Sequence, residues 1–218
     1  MGIRNITFIV LLSLGGIAYG QDRVDPDTFA DFKISVDSLD PSQLQDIEYR
    51  GECVEAISWK DKAGEHYLLL TETGEEESDE EGHRNAFVWG HHYLKTEAGL
   101  KKIWTFTDFV EECPLDIVAE FIKPAMQITD LDKDGHAEIW LVYQLACSGD
   151  ISPSELHIVM YKEHSDRLEM KGEGRLLLPD GEEIGGIYVL DAEFEGLPEI
   201  FSQYAIWLWD RYVAEDPL

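Results

Sequence analysis

One short stretch near the middle of the chain, Asp130-Leu131-Asp132-Lys133-Asp134-Gly135-His136-Ala137-Glu138, restricts the fold more than any other. Acids at positions 1, 3 and 5 of a tight loop aim their carboxylates at one centre. Glycine at position 6 allows the sharp turn that carries the position 7 carbonyl, that of His136, inward. These are hard oxygen ligands, a set suited to Ca²⁺. A calcium-binding helix-loop-helix also needs a glutamate at position 12, where this chain has Leu141. Instead an acid stands at position 9, Glu138, and Ile139-Trp140-Leu141-Val142-Tyr143 supplies β-formers where a helix would begin. The loop is therefore expected in a β context. The alternative is an acidic β-turn that uses Asp and Gly for backbone reasons alone, but three acids at alternate positions exceed what a turn needs.

Composition sets the surroundings of that loop. In 218 residues, 17 Lys and Arg face 45 Asp and Glu, giving a formal charge of −28, while 44% of residues are hydrophobic. That describes a globular protein with a strongly acidic surface and excludes collagen, a coiled coil and a disordered chain. Nucleic acid and anionic membrane surfaces are poor partners, because phosphate binding draws on cations this chain lacks, and cations are natural ones.

Residues 1–20 have the form of a secretory signal. Arg4 is followed by an apolar run from Ile6 to Ala18, and Ala18-Tyr19-Gly20 ends in small residues, leaving Gln21 first. The run is too short to span a bilayer stably, so no membrane span is expected after cleavage; a retained N-terminal anchor is the alternative. Export makes a disulfide expected. Cys113 and Cys147 lie in turn-like contexts at the ends of apolar runs, whereas Cys53 lies inside an expected strand, so the favoured pair is Cys113 with Cys147, against three reduced cysteines. No Cys-x-x-Cys occurs, which argues against a thiol oxidoreductase.

After a polar N-terminal segment, 21–47, in which Pro41-Ser42-Gln43-Leu44 suggests a helical turn, residues 48–218 read as a single β-rich domain. Strand patterns flank Asp61-Lys62-Ala63-Gly64 and again Glu97-Ala98-Gly99, giving two hairpins. Glu75 to Glu81 is a run of acids interrupted only by Ser78 and reads as a solvated loop. The adjacent His91 and His92 point to opposite faces if they lie on a strand, so they do not form a joint metal site. Asp116 to Ile122 is expected to form a short helical turn that Pro124 stops. Asp191-Ala192-Glu193-Phe194-Glu195-Gly196-Leu197-Pro198-Glu199 repeats the acid spacing of the first loop, but its glutamates are long for the inner positions. Phe201, Tyr204, Ala205, Leu208 and Tyr212 then recur at helical spacing, so 198–213 is expected to be an amphipathic helix, with Trp207 and Trp209 in the core.

The acidic loop is similar to the calcium loops of FG-GAP repeats, Asp-x-Asp-x-Asp-Gly-x-x-Asp/Glu followed by an apolar strand. That resemblance implies Ca²⁺ held by Asp130, Asp132, Asp134, the carbonyl of His136, and Glu138. The repeat's Phe-Gly pair is absent and the chain is too short for a closed integrin-type propeller. A wider set of residues resembles a bacterial family of exported proteins labelled as surface polysaccharide biosynthesis proteins. It comprises Asp108-Phe109, Cys113-Pro114-Leu115-Asp116, Ala137-Glu138-Ile139-Trp140, Tyr143, Cys147-Ser148-Gly149-Asp150-Ile151-Ser152-Pro153, Met160-Tyr161 and Tyr204-Ala205-x-x-Leu208-Trp209. The resemblance implies an envelope role, supports the Cys113–Cys147 pairing and transfers no catalytic residue.

The expected protein is mainly β, built of antiparallel hairpins with a C-terminal helix, as a β-sandwich or a partial-propeller-like arrangement. Its expected cofactor is one structural Ca²⁺. The expected role is binding or scaffolding in the periplasm or outside the cell, with a surface glycan or an envelope protein as partner. The rival expectation is an envelope hydrolase acting on polysaccharide from a Trp-lined cleft with paired carboxylates. No Gly-x-Ser-x-Gly or His-Glu-x-x-His motif occurs.

Overall fold

A computed structural model describes residues 26–44, 47–162 and 166–214; the expected signal segment 1–20 lies outside them. The chain is mainly antiparallel β with one C-terminal helix, arranged as two sheets packed face to face. In sheet I the strands lie in the order β1 (Asp37–Ser38), β2 (Glu52–Asp61), β3 (Gly64–Glu72), β5 (Arg84–Thr96) and β4 (Glu76–Glu77), with β6 (Gly99–Cys113) on the other edge of β5. Pro114-Leu115 carries the chain into sheet II. Its order is β13 (Tyr188–Leu190), β10 (Asp166–Glu173), β9 (Glu155–Lys162), β8 (Glu138–Ser148) and β7 (Asp116–Thr129), and β11 (Arg175–Leu177) and β12 (Glu183–Gly185) form a separate ribbon.

Period-2 alternation explains how the two sheets share one core. Leu68, Leu70, Val88, Trp104 and Phe106 of sheet I meet Phe121, Ile128, Ile139, Leu141, Tyr143 and Val159 of sheet II. The alternate residues of sheet II, Trp140, Val142, Ile158 and Met160, pack on Phe201, Tyr204, Ala205 and Leu208 of the helix α1 (Glu199–Tyr212) and on Phe29. Strand β8 is thus buried on both faces from Ile139 to Tyr143, which is why that stretch is an unbroken apolar run. The outer face of sheet I buries Ala56, Leu69 and Tyr93 under Leu44 and Ile47, just after the helical turn Pro41–Leu44.

The expected helix appears almost residue for residue, with Pro198 as its N-cap, and its Trp207 and Trp209 are buried. The expected helical turn at Asp116–Ile122 does not form: these residues open β7 and pair with β8 from Asp116↔Ser148 to Phe121↔Tyr143. Ile117, Ala119 and Phe121 alternate inward, and burying them against sheet I outweighs the weak local helical signal. Pro124 lies where the β7–β8 register shifts between Phe121 and Met126, the kind of irregularity an edge strand accommodates. Most of the acidic stretch 75–81 is loop, but Glu76–Glu77 pairs with Asn85 and Arg84 as β4. Cations make that possible: Arg84 binds Glu75 at 2.7 Å and Arg50 pairs with Glu76.

The free edge of β7 is covered from two sides. Near its end Ile34 N–H donates to the Ile128 carbonyl (3.0 Å) and Asp130 N–H to the Phe32 carbonyl (2.9 Å). Farther back the carboxylates of Glu72 and Glu55, reaching across from sheet I, accept Phe121 N–H (2.6 Å) and Ala125 N–H (3.3 Å). Cys113 and Cys147 are joined, with Sγ atoms 2.03 Å and Cα atoms 5.7 Å apart, tying the end of β6 to β8 and so one sheet to the other. Cys53 is free and half-buried.

Candidate metal centre

The acidic loop joins β7 to β8 and leaves the sandwich at the end opposite the disulfide on β8. Lys133 and Gly135 take left-handed conformations, φ 58° and 88°, which bend the backbone around the carboxylates. Side chains inside the loop hold it: Asp132 Oδ1 accepts Asp134 N–H (3.3 Å), Asp134 Oδ1 accepts His136 N–H (2.8 Å) and Asp130 Oδ2 accepts Gly135 N–H (3.2 Å).

Glu138, the first residue of β8, is fully buried. Its Oε2 accepts Thr129 Oγ1–H (2.8 Å) and Leu131 N–H (2.9 Å), and Trp140 Nε1–H donates in turn to Thr129 Oγ1 (3.0 Å). Its Oε1 and Asp130 Oδ1 are buried with no hydrogen-bond partner among the described residues. One oxygen from each of Asp130, Asp132 and Glu138 lies within 4.8 Å of the others. Burial is the main reason the Glu138 carboxyl is pushed up to about 7.

The remaining sequence-predicted groups lie beside this trio. Asp134 pairs with Lys162 Nζ at 3.2 Å, and the same ammonium pairs with Asp132. His136 lines a small crevice with Asp61, His66 and His92. The second acidic stretch does not converge on a centre: Ala192–Gly196 is a 3-10 turn with Phe194 buried, and Asp191 accepts Glu169 N–H (2.7 Å).

Sheet I clasps the loop from below. In the β2–β3 turn, Lys62 N–H donates to the Gly135 carbonyl (2.8 Å) and Asp61 Oδ2 accepts Ala137 N–H (3.0 Å). Asp61 Oδ1 also accepts Ala63 N–H (2.7 Å) and faces His66 Nε2 at 2.9 Å, while His66 Nδ1 lies 2.9 Å from His92 Nε2. Because a carboxylate only accepts, His66 Nε2 carries a proton and donates it to Asp61. Trp59 stacks on both imidazoles. His92 therefore faces the core, while its neighbour His91 lines a groove on the other face with Trp89 and Thr105, as expected for successive strand residues.

A second polar cluster was not foreseen from the sequence. Tyr143 O–H donates to Asp108 Oδ2 (2.6 Å), His157 Nδ1 is 2.8 Å from Glu169 Oε1, and Arg167 reaches Glu169 Oε1 (3.0 Å) and the Tyr143 hydroxyl (3.3 Å). Asp108, His157 and Glu169 could together ligate an ion, but Arg167 already supplies the countercharge. Burial, then the Asp108 carboxylate, drive the Tyr143 hydroxyl far above its ordinary range, so it acts as a fixed donor. These residues come from four strands, and no local spacing connects them.

Scans against family models, curated proteins and solved structures find no match to this chain.

Proposed function

We propose that the chain is an exported, Ca²⁺-binding protein of the bacterial envelope, with a binding or scaffolding role linked to surface polysaccharide. Asp130, Asp132 and Glu138 hold the ion, and Asp134 with the His136 carbonyl completes its shell. The observation that carries the metal reading is the pair of buried, unpartnered oxygens, Asp130 Oδ1 and Glu138 Oε1, beside a third carboxylate. Leaving such oxygens bare is costly, and a hard divalent cation satisfies both. The ion is structural in this reading, since the loop it closes rests on the β2–β3 turn of the other sheet.

The envelope setting and the polysaccharide link rest on the sequence resemblance and on the signal-like N-terminus. A binding role is favoured over hydrolysis because Trp59, Trp104, Trp140, Trp207 and Trp209 are buried, while Trp89 lines an open groove in which Glu48 is the one carboxylate among the lining residues, not the pair that hydrolysis needs. The test is thermal unfolding of the mature protein with Ca²⁺, with Mg²⁺ and with chelator, for wild type beside Asp132→Ala. A bound ion stabilises the native state by about 2.7 kcal/mol at a hundredfold excess over its dissociation constant. A Ca²⁺-selective rise that Asp132→Ala abolishes is expected; identical melting in all three conditions would reduce the loop to an acidic turn.

A further inference from the structure

The loop already contains a cation of its own. Lys162, the last residue of β9, is mostly buried and places its ammonium against Asp132 and, at 3.2 Å, Asp134. Its Nζ also lies 5.1 Å from the centroid of Phe201 in the first turn of α1. Among the described residues it is the only cationic side chain ion-paired to a carboxylate of this loop: Lys133 turns away over Phe32, and Lys62 reaches only the Asp134 carbonyl.

This pairing divides the loop's oxygens into two sets. Asp130 and Glu138 each keep a buried oxygen without a partner, whereas Asp132 Oδ2 and Asp134 Oδ2 are committed to the ammonium. An ion coordinated by all four carboxylates and Lys162 in its present place would set a divalent charge beside a fixed positive one, which is repulsive.

We infer that Lys162 is a built-in competitor for the Ca²⁺ site, so that the loop works by exchange, with the ammonium leaving Asp132 and Asp134 as the divalent ion enters. This rests on the Ca²⁺ reading above and deepens it. The exchange weakens the site relative to the same ligands without the lysine, and so moves its response towards higher Ca²⁺. It also keeps the loop folded when Ca²⁺ is scarce, since the ammonium partly neutralises Asp132 and Asp134. Finally, it gives the site an output, because an ammonium that leaves the carboxylates also leaves the face of Phe201 on the helix.

The experiment is calorimetric titration of the mature protein with CaCl₂, together with melting in chelator, for wild type, Lys162→Met and Lys162→Arg. Removing the charge is expected to tighten Ca²⁺ binding about tenfold or more and to lower the melting temperature in chelator, while Lys162→Arg keeps near-wild-type affinity. Wild-type binding that is unchanged or weakened in Lys162→Met would overturn the exchange and leave the Ca²⁺ site standing. Absence of binding in every variant would remove the site and the exchange together. Binding by Lys162→Met alone would overturn the exchange, since the ammonium would then be the native loop's resident cation.

Discussion

Replacing Glu138 by Gln separates the two forces acting on the loop. The buried carboxyl is raised from an ordinary 4.5 to about 7, chiefly by burial. A group raised on folding binds its proton more tightly in the native state, so native stability falls as pH climbs from the ordinary value to the raised one. At about 1.36 kcal/mol per unit, the charge at Glu138 costs at most about 3 kcal/mol above neutral pH, and nothing well below 4.5. Glutamine keeps an oxygen to accept from Thr129 and Leu131, while its amide replaces the unpartnered Oε1. In chelator, Glu138→Gln is therefore expected to be more stable than wild type by up to about 3 kcal/mol at pH 8, with the gap closing by pH 4.5. Urea unfolding followed by tryptophan fluorescence across that range measures it. With saturating Ca²⁺ the order reverses, because the variant has lost a ligand. A variant less stable than wild type in chelator at pH 8 by as much as at pH 5 would show that the carboxylate is not the liability described.

Two further outcomes can be checked on the same material. Replacing Cys113 and Cys147 together by Ser removes a closed loop of 34 residues, and equilibrium unfolding is expected to show a loss of about 3 to 4 kcal/mol in the chain-entropy model. At Asp61 burial pushes the carboxyl up, but hydrogen bonds from Ala137 N–H, His66 and Ala63 N–H outweigh it and leave the carboxyl below its usual range. Its contribution is therefore present above the ordinary carboxylate range and lost as pH falls through the lowered value. Asp61→Ala, which strands those donors, is expected to cost roughly 2 to 3 kcal/mol at pH 7 and less in acid, read from melting curves at several pH values.

What the sequence made legible was whatever repeats along the chain. The hairpins around Asp61–Gly64 and Glu97–Gly99, the helix beginning after Pro198, and the strand over Ile139–Tyr143 all follow from local periodicity, β-propensity and turn chemistry. Within the loop the spacing brought Asp130, Asp132 and Glu138 together but could not show that Asp134 pairs with a lysine from another strand. The same limit hid the chain Asp61, His66, His92 and the cluster around Tyr143, whose members meet only through pairing and sheet packing. At Asp116–Ile122 the alternation of Ile117, Ala119 and Phe121 spells a strand, and Pro124 marks a register shift in it and not the end of a helical turn.

The cover over β7 bears on how this protein behaves in a crowd. An uncovered edge of that length is a template for strands of other molecules and a seed for aggregation. Here the template is blocked near its end by backbone from residues 32 to 34, and farther back by Glu55 and Glu72, whose carboxyls burial pushes upward. The stretch from Phe32 to Ile34 thus shields this edge from foreign strands. A protease that clipped just after Ile34 would leave the loop's ligands in place, yet would open the strand that ends at Thr129 to its neighbours and free Phe29 from its seat against Tyr204 and Trp207.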